Sequence, residues 1–249
     1  MAIPDEPDIN PPKYHRFNQL PGILKKLSVE SVNHAERRPS PRYYANVRHE
    51  MVPFLPEQYS RVLEVGCGEG VFAPLLTASS EKWGVEMDPA SAKVAATRMD
   101  RVLVGTFDGV AAQLPVSHFD LVVCNDVIEH MADPEEFLAA VRKQMAPGAC
   151  LVASIPNMRH WEVLWQLLVR KDWKYVREGI MDRTHLRFFT EKSIRRMFEQ
   201  AGFVVERANG INGVFDPARR VVFGIVSVLT CGYYRDTQFR QFAVRVRLS

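Results

Sequence analysis

The chain has 249 residues, 47% of them hydrophobic and 24% charged, enough to bury a full core and to exclude global disorder. Its net charge of +3 is unevenly divided, with +1 over residues 1–60, −6 over 61–158 and +8 over 159–249. An acidic middle tolerates a cationic ligand, while a basic last third suits an anionic or membrane-proximal partner, or a solvated basic surface.

Residues 1–42 read as an N-terminal arm and helix. Pro4, Pro7, Pro11, Pro12 and Pro21 favour an extended segment, and the apolar spacing of Ile23, Leu24, Leu27 and Val32 predicts a helix over 22–36. Acids and prolines stand where a signal peptide would place basic and apolar residues. Cys67, Cys124, Cys150 and Cys231 show no C-x-x-C spacing and read as buried thiols of a reducing compartment, so a cytoplasmic protein is expected. A helix over 43–54 would set Tyr44 and Arg48 on one face, as a wall over a ligand.

From 61 to 155, strand and helix patterns alternate. Strands are expected at 61–66, 82–87, 101–105, 119–124 and 149–155, with helices at 70–78, 89–98 and 133–145. That order predicts a doubly wound parallel sheet. Beyond it come helices at 161–169 and 190–202, and strands at 203–207 and 242–248 that pair antiparallel at one sheet edge. Residues 43–249 thus form one α/β domain with insertions at about 157–189 and 209–239.

The stretch 61–70, RVLEVGCGEG, ends a strand in a glycine turn of the kind that approaches a nucleotide-like ligand closely. Its spacing is G-x-G-x-G, with Val71 where a dinucleotide fold wants its last glycine. Glu86, at the end of the second strand in GVEMDP, is placed to accept both ribose hydroxyls of an adenosine. Asp88 reads as the cap of the next helix. In GTFD, Phe107 is expected to pack on an adenine face and Asp108 to accept from its amino group.

Taken together, EVGCGEG, GVEMDP, LPVSHFDLVVCNDVIEH, APGACLVASIPN and DRTHLRFFTEKSIRRMFEQAGF resemble the successive motifs of class I S-adenosylmethionine-dependent methyltransferases. The likeness covers roughly 43–207 and is closest to the small-molecule branch associated with glycan biosynthesis. It implies a mostly parallel seven-stranded sheet with an antiparallel last strand, and S-adenosylmethionine as cofactor. It also implies that Glu64, Gly66 and Gly68, with Cys67 between them, hold the methionine end, that Glu86 takes the ribose, that residues 106–108 take the adenine, and that Asn125 meets the amino group through its backbone. Arg48 would meet the methionine carboxylate. Thr106 stands where the family commonly has an acid.

Transfer to an acceptor oxygen needs a proton acceptor, and His130, His160 and His185 are the candidates, with His185 preferred for its place in an irregular polar-aromatic segment. Asp126, Glu129 and His130 are spaced as one helical turn would need for a divalent ion, as in ubiquinone-type O-methyltransferases, but no metal is expected. Asn157, Arg159, Trp161, Asp182, Arg187 and Phe188 are expected to line the acceptor pocket with His160, the arginines favouring an anionic acceptor such as a nucleotide- or lipid-linked sugar. The segment 219–235 reads as a membrane-surface element, a lid or a dimer surface. Nucleic-acid methylation is the lesser reading, since the basic residues do not form a stripe, and a catalytically silent cofactor-binding module is a third.

Overall fold

The apolar runs of the middle region become parallel strands because they are buried on both faces. The computed structural model describes residues 47–214 and 216–248, which lie in one compact unit, Pro39–Ser249; the expected arm and helix before residue 43, and Tyr44, lie outside the described residues. The strands are β1 (Arg61–Val65), β2 (Glu81–Glu86), β3 (Arg101–Val104), β4 (Phe119–Asn125), β5 (Met145–Pro156), β6 (Phe203–Gly213) and β7 (Phe239–Leu248). They form one seven-stranded sheet in the order β3-β2-β1-β4-β5-β7-β6. Pairing is parallel through β5, and β7 runs antiparallel to both β5 and β6. The fold class and the antiparallel edge pair agree with the sequence.

The period of two divides the core between the two faces of the sheet. Leu63, Val122, Cys124, Leu151 and Ala153 join the cluster on one face, and Val62, Leu121, Val123 and Val152 meet Met51, Phe54 and Phe72 on the other. The helices are α1 (Pro89–Ala95), α2 (Phe107–Val110), α3 (Pro134–Gln144), α4 (Trp161–Leu168), α5 (Glu191–Gln200) and α6 (Pro217–Leu229). Three capping residues act as their types predict. Asp88 accepts from Ser91 N–H at 2.9 Å, Asp133 from Glu136 N–H at 2.8 Å, and Thr190 forms a capping box with Ser193.

Four expectations change. The helix over 70–78 is replaced by turns and a 3₁₀ turn at Ala73–Leu75, because Gly66, Gly68 and Gly70 are all left-handed and Pro74 has no N–H to donate. Only His49–Phe54 of the expected 43–54 helix is described, as a 3₁₀ helix containing Pro53. β6 runs on to Gly213, carried by its ladder with β7. Of the four thiols, Cys67 and Cys124 are buried, whereas Cys150 is half-buried and Cys231 exposed.

Candidate active site

The strand order reverses between β1 and β4, so the C-terminal ends of these two strands border the crevice where open α/β sheets take ligands. The glycine turn leaves β1 at this place. A Cβ on Gly66, whose φ is 68°, would stand 2.7 Å from Val127 Cγ2, and one on Gly70 would press on the α1 backbone at Ala95. The turn is pinned by Gly66 N–H and Cys67 N–H, which both donate to Val85 O. The Cys67 sulfur packs against Gly84 beside Met99, and burial pushes the thiol pKa up. A Gly66→Ala substitution is expected to cost at least tenfold in cofactor affinity, since strain and the Val127 clash both fall on the turn. Calorimetry against the demethylated cofactor measures it.

Glu86 closes the turn from β2. Its two oxygens accept from Gly68 N–H and Asp88 N–H, each at 2.8 Å, and each oxygen keeps a lone pair for a further donor. Glu64, 3% exposed, has one carboxylate oxygen with no protein partner. Burial, followed by the neighbouring charge of Glu86, raises its pKa to about 8. At the end of β4 the Asn125 amide likewise has neither its oxygen nor its nitrogen satisfied. Unsatisfied buried groups of both polarities around a cradle that tolerates no Cβ fit a polar, positively charged nucleoside ligand.

Two expected contacts to that ligand fall elsewhere. Phe107 is buried in the core, edge-to-face on Phe137 at 5.2 Å, so its ring packs protein rather than an adenine. Asp108 is exposed in the first turn of α2, and Thr106 caps that helix. Arg48 reaches the crevice, but its guanidinium pairs with Asp126. Asp126 in turn accepts from Ser154 Oγ at 2.7 Å and Gln241 Nε2 at 2.6 Å. This network links β4, β5 and β7. Gln241 and Ser154 carried no signal in the sequence, because their partners lie far along the chain.

Beyond β4 a 3₁₀ turn, Ile128–His130, carries Glu129 and His130. The Glu129 carbonyl accepts from Leu186 N–H at 2.8 Å and Arg187 N–H at 3.0 Å, which fastens the segment around His185 to this turn. Asp182 shapes that segment by accepting from Thr184 N–H and Oγ1. The rings of His130 and His185 consequently meet at 4.8 Å between centroids, 74° apart. His130 Nδ1 lies 3.2 Å from Thr184 O, and His185 Nδ1 lies 3.0 Å from Ile180 O. A carbonyl can only accept, so each Nδ1 carries its hydrogen and each Nε2 keeps a lone pair. Burial lowers both imidazole pKa values, and His130 lowers that of His185 further. The Glu129 carboxyl lies 3.9 Å from His185 Nε2, and its pKa is raised to about 8, chiefly by burial.

The set expected from spacing, Asp126, Glu129 and His130, is thus not the one assembled. Asp126 is taken up by Arg48, Ser154 and Gln241, while Glu129, His130 and His185 bring one nitrogen or oxygen each to within 4.8 Å of one another. His160 stands apart from them. It is the N-terminal cap residue of α4, 2% exposed, beside Glu162, and burial with the nearby Arg240 lowers its pKa to about 4. Asn157 is a clamp rather than a pocket wall, donating to Asp236 O and Phe239 O, and Arg159 is paired with Asp236.

Comparison with known proteins places this geometry. The profile of a family described as a methyltransferase domain matches residues 34–208. A ubiquinone biosynthesis O-methyltransferase of Cereibacter sphaeroides is 27% identical over 66% of this chain and 67% of its own length. A probable S-adenosylmethionine-dependent methyltransferase of Mycolicibacterium smegmatis is 28% identical over 60% of this chain and 54% of its own. Among solved structures, a SAM-dependent methyltransferase from Archaeoglobus fulgidus superposes with a TM-score of 0.58 at 19% identity, covering 83% of this chain and 93% of that one.

Proposed function

This chain belongs to the methyltransferase domain family, and on that premise we propose that it transfers the methyl group of S-adenosylmethionine to a hydroxyl oxygen of a small acceptor. The chain is a methyltransferase and S-adenosylmethionine is its cofactor. When bound, that cofactor supplies an already electrophilic methyl group on a sulfonium, so the protein's share is orientation, exclusion of water and removal of one proton. Glu64, the backbone of the 66–68 turn, Glu86 and Asn125 would hold it.

The observation that carries the oxygen acceptor is the His130–His185 pair. A hydroxyl must lose its proton as the new O–CH₃ bond forms, and an imidazole with Nδ1–H fixed on a carbonyl presents Nε2 as the base. His185 Nε2 takes the proton, and the Nδ1–H bond to Ile180 O strengthens as the ring becomes cationic. His130 packs against the ring and holds its angle. Ile180 and Met181, both buried, keep the base out of bulk water. A 27% identical relative named as a ubiquinone biosynthesis O-methyltransferase supports the same kind of acceptor atom. The glycan-related and anionic character of the acceptor is part of the proposal, resting on Arg187 and Arg183 in the acceptor segment. A labelled-methyl screen over phenols, sugars and nucleotide sugars, with amines as the contrast, tests it. Label found on oxygen is expected, and label confined to nitrogen or carbon would overturn the oxygen assignment.

A further inference from the structure

The α6 helix is turned inside out with respect to an ordinary surface helix. Phe223, Val226, Ser227 and Thr230, spaced as one helical face, are half-buried against the protein, whereas Val221, Val222, Ile225, Val228 and Leu229 face solvent. Val228 is 80% and Leu229 78% exposed. α6 rests on α4 through Phe223, whose ring lies 6.5 Å from Trp161, and through Arg219, stacked over Trp161 at 4.7 Å. α4 exposes apolar residues of its own at Trp165, Leu167 and Leu168, followed by Val169. The two helices touch through these rings and both expose apolar side chains, more concentrated than the scattered surface aliphatics of an ordinary domain.

The charge around this apolar surface is basic on balance. Over 161–178 and 216–236, the two helices with their ends, the chain has seven basic residues against five acids, Glu162, Asp172, Glu178, Asp216 and Asp236, of which Asp216 pairs with Arg219 and Asp236 with Arg159. Arg170 and Lys171 follow the end of α4, Arg219 and Arg220 open α6, and all four are exposed. Tyr233 and Tyr234, also exposed, stand just past α6. Aliphatic surface flanked by arginine and lysine, with tyrosines alongside, is complementary to a bilayer with anionic headgroups. No helix among the described residues is long and apolar enough to cross a membrane, so the contact is interfacial. At thirteen residues α6 lies about 20 Å along such a surface.

We infer that the exposed faces of α4 and α6 form a platform that docks this protein on anionic phospholipid surfaces. This goes beyond the methyl-transfer reading and does not depend on it.

The test is vesicle co-sedimentation of the full chain, with phosphatidylcholine alone and mixed with phosphatidylglycerol. Binding is expected to the anionic vesicles, to weaken with added salt, and to fall at least about tenfold in Ile225→Asp and Val228→Asp, each of which would bury a carboxylate at the interface. An Arg170→Glu/Arg220→Glu variant should lose the preference for anionic over neutral lipid. All four positions are exposed, and unchanged binding of the demethylated cofactor shows that each variant is folded. Light scattering supplies the opposing outcome. If no vesicle binds, or if the protein is a dimer that Ile225→Asp and Val228→Asp dissociate while vesicle binding is unaffected, the platform is not a lipid-docking surface and the inference fails.

Discussion

His185→Gln is expected to lower turnover by about two to four orders of magnitude while leaving cofactor affinity and melting temperature near those of the native protein. Glutamine can still donate to Ile180 O, so the segment keeps its anchor, but its side chain offers no basic nitrogen at the place of Nε2. The pH profile separates a base from a mere anchor. Burial and His130 hold the His185 pKa below the ordinary histidine value, so the native rate should fall only on the acid side of that value as the ring is protonated. In the variant this acid limb disappears. His130→Gln should be milder, since that ring packs on the base and holds its angle without itself taking the proton. Native turnover in His185→Gln would remove the histidine from the mechanism.

The second large effect is expected at Glu64, where stability and ligand binding move in opposite directions. A carboxyl whose pKa rises from 4.5 unfolded to about 8 folded keeps its proton in the native state while the unfolded chain releases it. Between those values the native state binds more protons, so stability falls as pH rises and levels off above about 8. The full shift corresponds to a loss on the order of 4 kcal/mol at pH 8. Glu64→Gln removes the ionisation, so the variant without cofactor should melt above the native protein at pH 8, with the gap closing towards pH 5. Its cofactor affinity should nevertheless drop about ten- to a hundredfold, because a charge-assisted hydrogen bond to the ligand is lost. In the native protein, ligand binding should tighten from pH 6 to 8 with release of a proton, readable by calorimetry in buffers of different ionisation heat. Affinity and proton release unchanged in the variant would place the ligand away from β1.

The central sheet was legible because β1, β4 and β5 are buried on both faces and therefore read as mostly apolar runs, interrupted only at single positions such as Glu64 and Asp120. The helix expected at 70–78 failed on Pro74 and three left-handed glycines, features that a count of apolar residues does not see. The extension of β6 through ANGING was equally hidden, since its backbone is ordered by pairing with β7 and not by its own propensity. In the site, Glu64 and Glu86 could be found from sequence because a strand end and a glycine turn fix their position locally. The His130–His185 contact could not, since it joins residues on two segments held together by backbone bonds to Glu129. Phe107 is hard to read for the converse reason, as an aromatic residue at a strand end looks the same whether it faces a ligand or Phe137.

The position of β7 has a consequence for biosynthesis. It is made after β6 but lies between β5 and β6, and in the described sheet β6 has no other strand neighbour. A nascent chain that has emerged only as far as residue 238 presents β5 with an open edge and β6 with no ladder at all. Gln241, which completes the Asp126 network at the crevice, is also still missing at that stage. The sheet therefore cannot close progressively during translation. The sheet edge and the Asp126 network are finished together, and until then β5 presents an unpaired edge of the kind that invites wrong pairing.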